Sequence, residues 1–135
     1  MDLVDCTKKG FIKKTMIDKE LMVSLREMSD IKENTVKSAK IDKQNISVYV
    51  SVAYDSLREI LEAVCISKGY KVTNHICLGE LMKKLDSSFD YATYDRLRYI
   101  RNGINYYGEK IDFEQGKQII EKIFVLKKNI LKQMK

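Results

Sequence analysis

Apolar residues recur at three- and four-residue steps along most of the chain, the period of a helix with one buried face. The clearest run is Gln44 to Lys68. There Ile46, Val50, Ala53, Leu57, Ile60, Leu61 and Val64 share a stripe, while Asp55, Arg58, Glu59 and Glu62 take the opposite side. Val48, Val50 and Val52 alternate as a strand would, but the longer helical period and the lack of a partner strand favour a helix. Gly69 follows Lys68 as a left-handed C-terminal cap. A second run opens after Thr73 or Asn74, either of which can cap it, and buries Leu78, Leu81, Met82 and Leu85. Ser87 and Ser88 break the chain; the next helix runs to about Tyr107 and Gly108 ends it. Asp112, with Gln115 in capping-box spacing, opens a last helix whose core face is Ile119, Ile120, Ile123, Leu126, Ile130 and Met134. Upstream, a helix is expected from about Phe11, after Gly10, with Ile12, Met16, Met22, Leu25 and Met28 as its apolar positions. Ser29 and Asp30 could cap a second segment to about Lys40, so this region reads as one long helix or two.

The pattern predicts an all-α fold, an antiparallel bundle of about five helices in one domain, because short connections make neighbouring helices pack antiparallel. Composition agrees. The chain has 135 residues, no proline and only six glycines, with 44% hydrophobic and 33% charged residues. That length can bury a core without metal or disulfide staples. Cys6, Cys65 and Cys77 are odd in number and not ligand-spaced, which suits a reducing compartment and makes Cys65 and Cys77 candidates for small core residues. With a single histidine, His75, no zinc site and no cofactor are expected. No apolar run reaches the length of a membrane span, and Met1 to Gly10 lacks a signal-peptide core, so a cytoplasmic protein without membrane association is expected.

Charge adds one feature. Between Lys117 and Lys135 lie six lysines and one glutamate, and Lys117, Lys128, Lys132 and Lys135 fall along one side of a helix. Such a stripe either contacts phosphates or is simply a solvated face.

The segment from Tyr91 to Gly108 carries most of the candidate chemistry. Leu97, Ile100, Ile104 and Tyr107 form its core stripe, and Tyr94, Arg98, Arg101 and Asn105 share one flank beside it. A guanidinium beside an apolar seam needs acceptors. Either a carboxylate such as Asp55, Glu59 or Glu62 pairs with Arg101, or Arg101 lines a cleft and receives a phosphate. Gly103 costs roughly 1 kcal/mol in a helix against alanine, so it should admit the close approach of another backbone or helix.

Here the sequence resembles the HEPN (higher eukaryotes and prokaryotes nucleotide-binding) family of helical bundles, and its lysine-rich archaeal members most of all. Arg101-Asn102-Gly103-Ile104-Asn105-Tyr106-Tyr107-Gly108 is similar to the family hallmark, an arginine followed by a polar residue and, a few positions on, a histidine. The segment from Ala53 to Ala63 resembles the first core helix. Lys68-Gly69-Tyr70 and Asn74-His75 resemble the loop and next helix start. The likeness covers about Ile46 to Lys132, which divides the chain into an N-terminal helical extension, residues 1–43, and a HEPN-like core, residues 44–135. It implies binding of RNA or a nucleotide, with Arg101 and Asn102 on phosphate and Arg98, Asn105, Tyr106 and Tyr107 lining the cleft. It also implies a homodimer with the groove across the two-fold axis. As an alternative it implies a toxin–antitoxin component paired with a minimal nucleotidyltransferase that would modify Tyr106 or Tyr107.

One departure bears on activity. Active members of the family are metal-independent endoribonucleases in which Arg101 and Asn102 would be catalytic, but Tyr106, Tyr107 and Gly108 stand where their histidine would be. Tyrosine, titrating near pH 10, is a poor base. The expectation is therefore a noncatalytic module. His75 reads either as a local packing or capping residue or, if the fold brings it to Arg101, as a catalytic one.

Overall fold

The computed structural model describes residues 1–133. In chain order it contains α1 (Leu3–Lys8), β1 (Ile12–Lys14), α2 (Lys19–Ser38), α3 (Ile46–Ser67), β2 (Tyr70–Val72), α4 (His75–Leu85), α5 (Tyr91–Tyr107) and α6 (Phe113–Gln133). The fold is an all-α helical bundle carrying one small two-stranded sheet.

The central element is α3. Its stripe of Ile46, Val50, Ala53, Leu57, Ile60 and Leu61 is fully buried, and it packs most extensively against α2 and α6. The Ala39–Asn45 connection is too short to return the chain along the 20-residue α2, so α2 and α3 run antiparallel. The anticipated caps hold the ends. Asn74 accepts from the backbone N–H groups of Ile76 and Cys77, Asp112 accepts from that of Gln115, and Gly69 and Gly108 turn the chain at φ +85° and +65°. Along α6, Ile120, Ile123, Leu126 and Ile130 are buried and Ile119 is half-buried; Met134 lies outside the described residues.

In the first forty residues the expected helix start and its first apolar positions change, and the choice between one helix and two is decided for one. No helix starts at Phe11. Gly10, at φ +77°, turns the chain into β1, which pairs antiparallel with β2 through Ile12↔Val72, Lys13↔Lys71 and Lys14↔Tyr70. Ile12 is buried there as the inward residue of a strand, and Met16 is 87% exposed. The helix begins later, where Asp18 caps it by accepting from the N–H of Leu21. Ser29 and Asp30 do not interrupt it. Ser29 is buried, and its hydroxyl donates to the Ser56 carbonyl at 2.5 Å, tying α2 to α3.

The cysteines also differ from expectation. Cys6 on α1 and Cys77 on α4 form a disulfide, both ends fully buried, across a sequence separation of 71 residues. Cys65 alone remains a buried free thiol, pushed up to about 12 by burial. The pairing removes the ground on which cysteine spacing pointed to a reducing compartment. Among the described residues no helix is long and apolar enough to cross a membrane.

Candidate functional site

The site grows from one flank of α5. Asp90 caps this helix by accepting from the N–H of Thr93, and Tyr94 and Leu97 are buried and fix its rotation. That rotation turns Arg98, Arg101 and Asn105, at three- and four-residue steps, toward α3. Asn105 meets its neighbours best with its amide oxygen toward Arg101. It then accepts from Nη2 at 3.1 Å and Nε at 3.0 Å, while its nitrogen donates to the Ser51 hydroxyl at 2.9 Å. The Arg101 guanidinium lies 5.6 Å from the Tyr54 ring centroid and 5.8 Å from that of Tyr106, within cation–π range of both.

Of the three carboxylates that could have paired with Arg101, only Asp55 approaches it. Its Oδ1 is 3.6 Å from Arg101 Nη2 and 3.7 Å from Arg58 Nε. That oxygen is buried and has no hydrogen bond. Glu59 instead pairs with Lys32 at 2.5 Å, and Glu62 with Arg58 at 2.7 Å. Arg98 is held by Asp95, at 3.0 Å from Nε and 2.9 Å from Nη2. Arg101 is thus attracted to Asp55 across ion-pair distance but not bonded to it. No described residue bonds its Nη1.

Behind this flank lies a cluster that helical spacing did not reveal. The Tyr54 hydroxyl is 3.1 Å from His75 Nδ1 and 3.1 Å from the Tyr94 hydroxyl, and the Tyr94 hydroxyl donates to the His75 carbonyl at 2.8 Å. Proton counting assigns the tautomer. Each tyrosine has one hydroxyl proton. Tyr94 spends its proton on the His75 carbonyl, so Tyr54 donates to Tyr94, and Nδ1–H of His75 must donate to Tyr54. The Nε2 lone pair is then the free acceptor. Burial first, then the cations Arg101, Arg58 and Arg98 against an opposing Asp55, lowers His75 to about 4. Burial raises Tyr54 to about 12 and Tyr94 further. At neutral pH the cluster is therefore uncharged. Its sequence signal was Tyr54 itself, a hydroxyl on the apolar seam of α3 that needed a partner.

The remaining expected site residues scatter. Asn102 is half-buried, one position round the helix from Arg101. Tyr106 and Tyr107 are 70% and 79% exposed. Gly103 is buried, and among the described residues what a Cβ there would meet first is the carboxylate of Glu109, the flexible end of a side chain. The close-packed glycines are Gly79, against the Tyr94 and Tyr91 rings, and Gly116, against Ile46. On α6, Lys117, Lys128 and Lys132 are exposed, and Lys135 lies outside the described residues. Lys127 is buried. Its ammonium is 2.7 Å from Glu33 and 3.4 Å from Asp30, so it does not belong to the stripe.

A groove of about 680 Å³ between α5 and α6 is lined by Leu97, Ile100, Ile119 and Leu126 and does not include Arg101. Among the described residues no group of three His, Cys, Asp or Glu side chains could hold a metal ion. No protein-family model matches this chain, and neither a curated protein nor a solved structure does.

Proposed function

We propose that the chain is a HEPN-like, noncatalytic module that binds RNA or a nucleotide through a phosphate on Arg101. The observation that carries this reading is the state of that guanidinium. It is braced by the Asn105 amide, flanked by the exposed ring of Tyr106, and left with its Nη1 donors unpaired among the described residues. A planar fork held in this way is suited to a phosphate. Tyr106 offers a stacking face to a base, and the exposed lysines of α6 supply attraction over a longer range. The test is a titration with a nucleotide and with a short single-stranded RNA. Arg101→Gln should weaken binding about tenfold or more, as expected for a charge-assisted pair of about 1.5–3 kcal/mol. Equal affinity in the variant would reject the site.

A second reading, metal-independent endoribonuclease, is favoured by one observation: Tyr54 meets His75 through its hydroxyl and Arg101 over its ring, so one side chain links a neutral imidazole to the phosphate candidate. His75 would then replace the missing histidine as proton acceptor. RNA cleavage abolished by both His75→Gln and Arg101→Gln would establish it. The homodimer belongs to the first proposal, and a toxin–antitoxin component with a nucleotidyltransferase partner is its alternative; the exposure of Tyr106 and Tyr107 suits either.

A further inference from the structure

The Cys6–Cys77 bridge joins α1, a short helix at the margin of the bundle whose Cys6 and Leu3 reach the core, to the turn that carries His75. The apolar core lies mainly on α3, with α2, α4, α5 and α6 closing over it. A chain of this length can stay folded on such a core without a staple. At one end of the bridge, α1 is a six-residue helix, too short to persist unaided. At the other end, Cys77 lies in the first turn of α4, two positions after His75. The polar groups of this turn are divided between the helix's own cap and the site. The Asn74 side chain accepts from the N–H groups of Ile76 at 2.9 Å and Cys77 at 3.1 Å, and the His75 carbonyl accepts from Tyr94 at 2.8 Å.

We propose that this bridge is a redox control on the candidate site. Closed, it holds the first turn of α4, and with it His75, against Tyr54 and Tyr94. Opened by a dithiol reductant, it releases that turn while the bundle persists. The exchange is balanced by the dithiol, which supplies two electrons and two protons. The Cys6–Cys77 S–S bond breaks to two thiols, and the donor closes its own S–S bond. Cys65, buried on α3 and held as a thiol, does not supply the attacking thiolate. Access requires α1 to lift. What then keeps it in place is the Cys6 carbonyl accepting from the N–H of Phe11, the Phe11 carbonyl accepting from that of Thr73, and the three-pair ladder of β1 and β2.

The single histidine makes the test direct, because His75 supplies the only imidazole signals of the chain. Thiols are counted by alkylation under denaturing conditions, with one expected in the oxidised chain and three after dithiothreitol. The ¹⁵N resonances of the His75 ring are then followed in both states, alongside far-UV circular dichroism. In the oxidised chain a single Nδ1–H tautomer is expected. After reduction, helicity should be kept while the ring shows mixed tautomers and titrates nearer the free value of about 6.5. Cys6→Ser should reproduce the reduced spectrum without reductant. An unchanged His75 spectrum after reduction overturns the proposal. So does loss of the helical signal, which would make the bridge a staple, and so does a count of three thiols in the oxidised chain. The inference rests on the phosphate-site reading only for its consequence to a ligand; the His75 readout needs none, so either can fail alone.

Discussion

The Tyr54 hydroxyl lies 3.1 Å from Nδ1 of His75 and holds the ring where burial and three nearby arginines decide which charge state the fold accepts. A protonated ring would still donate from Nδ1, but it would place a cation at a half-buried position near Arg101, Arg58 and Arg98. The folded chain therefore holds His75 neutral down to about 4, whereas the unfolded chain takes up that proton near 6.5. Below the unfolded value the unfolded state binds a proton the folded state refuses, so stability is full above about pH 6.5 and falls as pH drops toward 4. Urea unfolding of the wild type and of His75→Gln across pH 7 to 4 checks this. The advantage of the wild type should shrink with falling pH, and an NMR titration of His75 near 6.5 would sink the account.

Gly79 and Gly103 respond oppositely to alanine. A Cβ at Gly79 would lie 2.7 Å and 2.9 Å from atoms of the Tyr94 ring, which is fully buried and bonded at its hydroxyl. Neither the ring nor α4 can yield cheaply, so Gly79→Ala should cost about 1–3 kcal/mol. At Gly103 the obstacle is the Glu109 carboxylate, which can swing into water. Gly103→Ala should then gain up to about 1 kcal/mol of helix propensity. Thermal melts of the two variants decide it; equal losses would contradict the packing described.

What was legible in the sequence is local. The helices α3 to α6 follow from periods and caps contained within each segment, and Arg98, Arg101 and Asn105 follow from spacing on one helix. Features that join distant segments were not legible. Ile12 is as good a helix residue as a strand residue until Val72 pairs with it. Cys6 and Cys77 carry no spacing signal for a bridge of 71-residue separation. Tyr54, His75 and Tyr94 sit on three different helices and meet only because α3, α4 and α5 pack together. Lys127 sits one residue from the exposed Lys128, and the apolar period alone could not say that it turns inward to Glu33.

That division of the α6 lysines gives a prediction about salt. Lys128 is solvent-facing, so if RNA binds this face Lys128→Gln should lower the slope of log affinity against log salt by about 0.7 for a single strand. Lys127 is paired internally, so Lys127→Met should leave the slope unchanged. Its effect falls on folding, and mildly, because Glu33 keeps Lys37 as a partner at 2.5 Å. Lys127→Glu would bury a carboxylate beside Glu33 and Asp30 and should cost on the order of 3 kcal/mol or more. Salt-dependent titrations and urea melts test the two halves separately. A reduced slope in Lys127→Met would mean that this residue reaches ligand.

The sharpest test of the phosphate reading is made at Asp55 rather than at Arg101. Its Oδ1 is an internal anion, buried without a hydrogen bond, with Arg101 at 3.6 Å and Arg58 at 3.7 Å. A phosphate on Arg101 would compete with this carboxylate for the same guanidinium and would feel its repulsion. Asp55→Asn preserves shape and removes the charge. Two partly buried cations then lose their shared counter-ion, so stability should fall, by about 1–3 kcal/mol given their remaining partners. If Arg101 receives phosphate, affinity for a nucleotide or RNA should rise at the same time, since the incoming anion now supplies what Asp55 supplied. A less stable protein that binds more tightly is the expected outcome, measured by urea unfolding and by titration at fixed salt. If Arg101 serves only to brace α5 against α3, stability falls and affinity does not rise, and the phosphate assignment is lost.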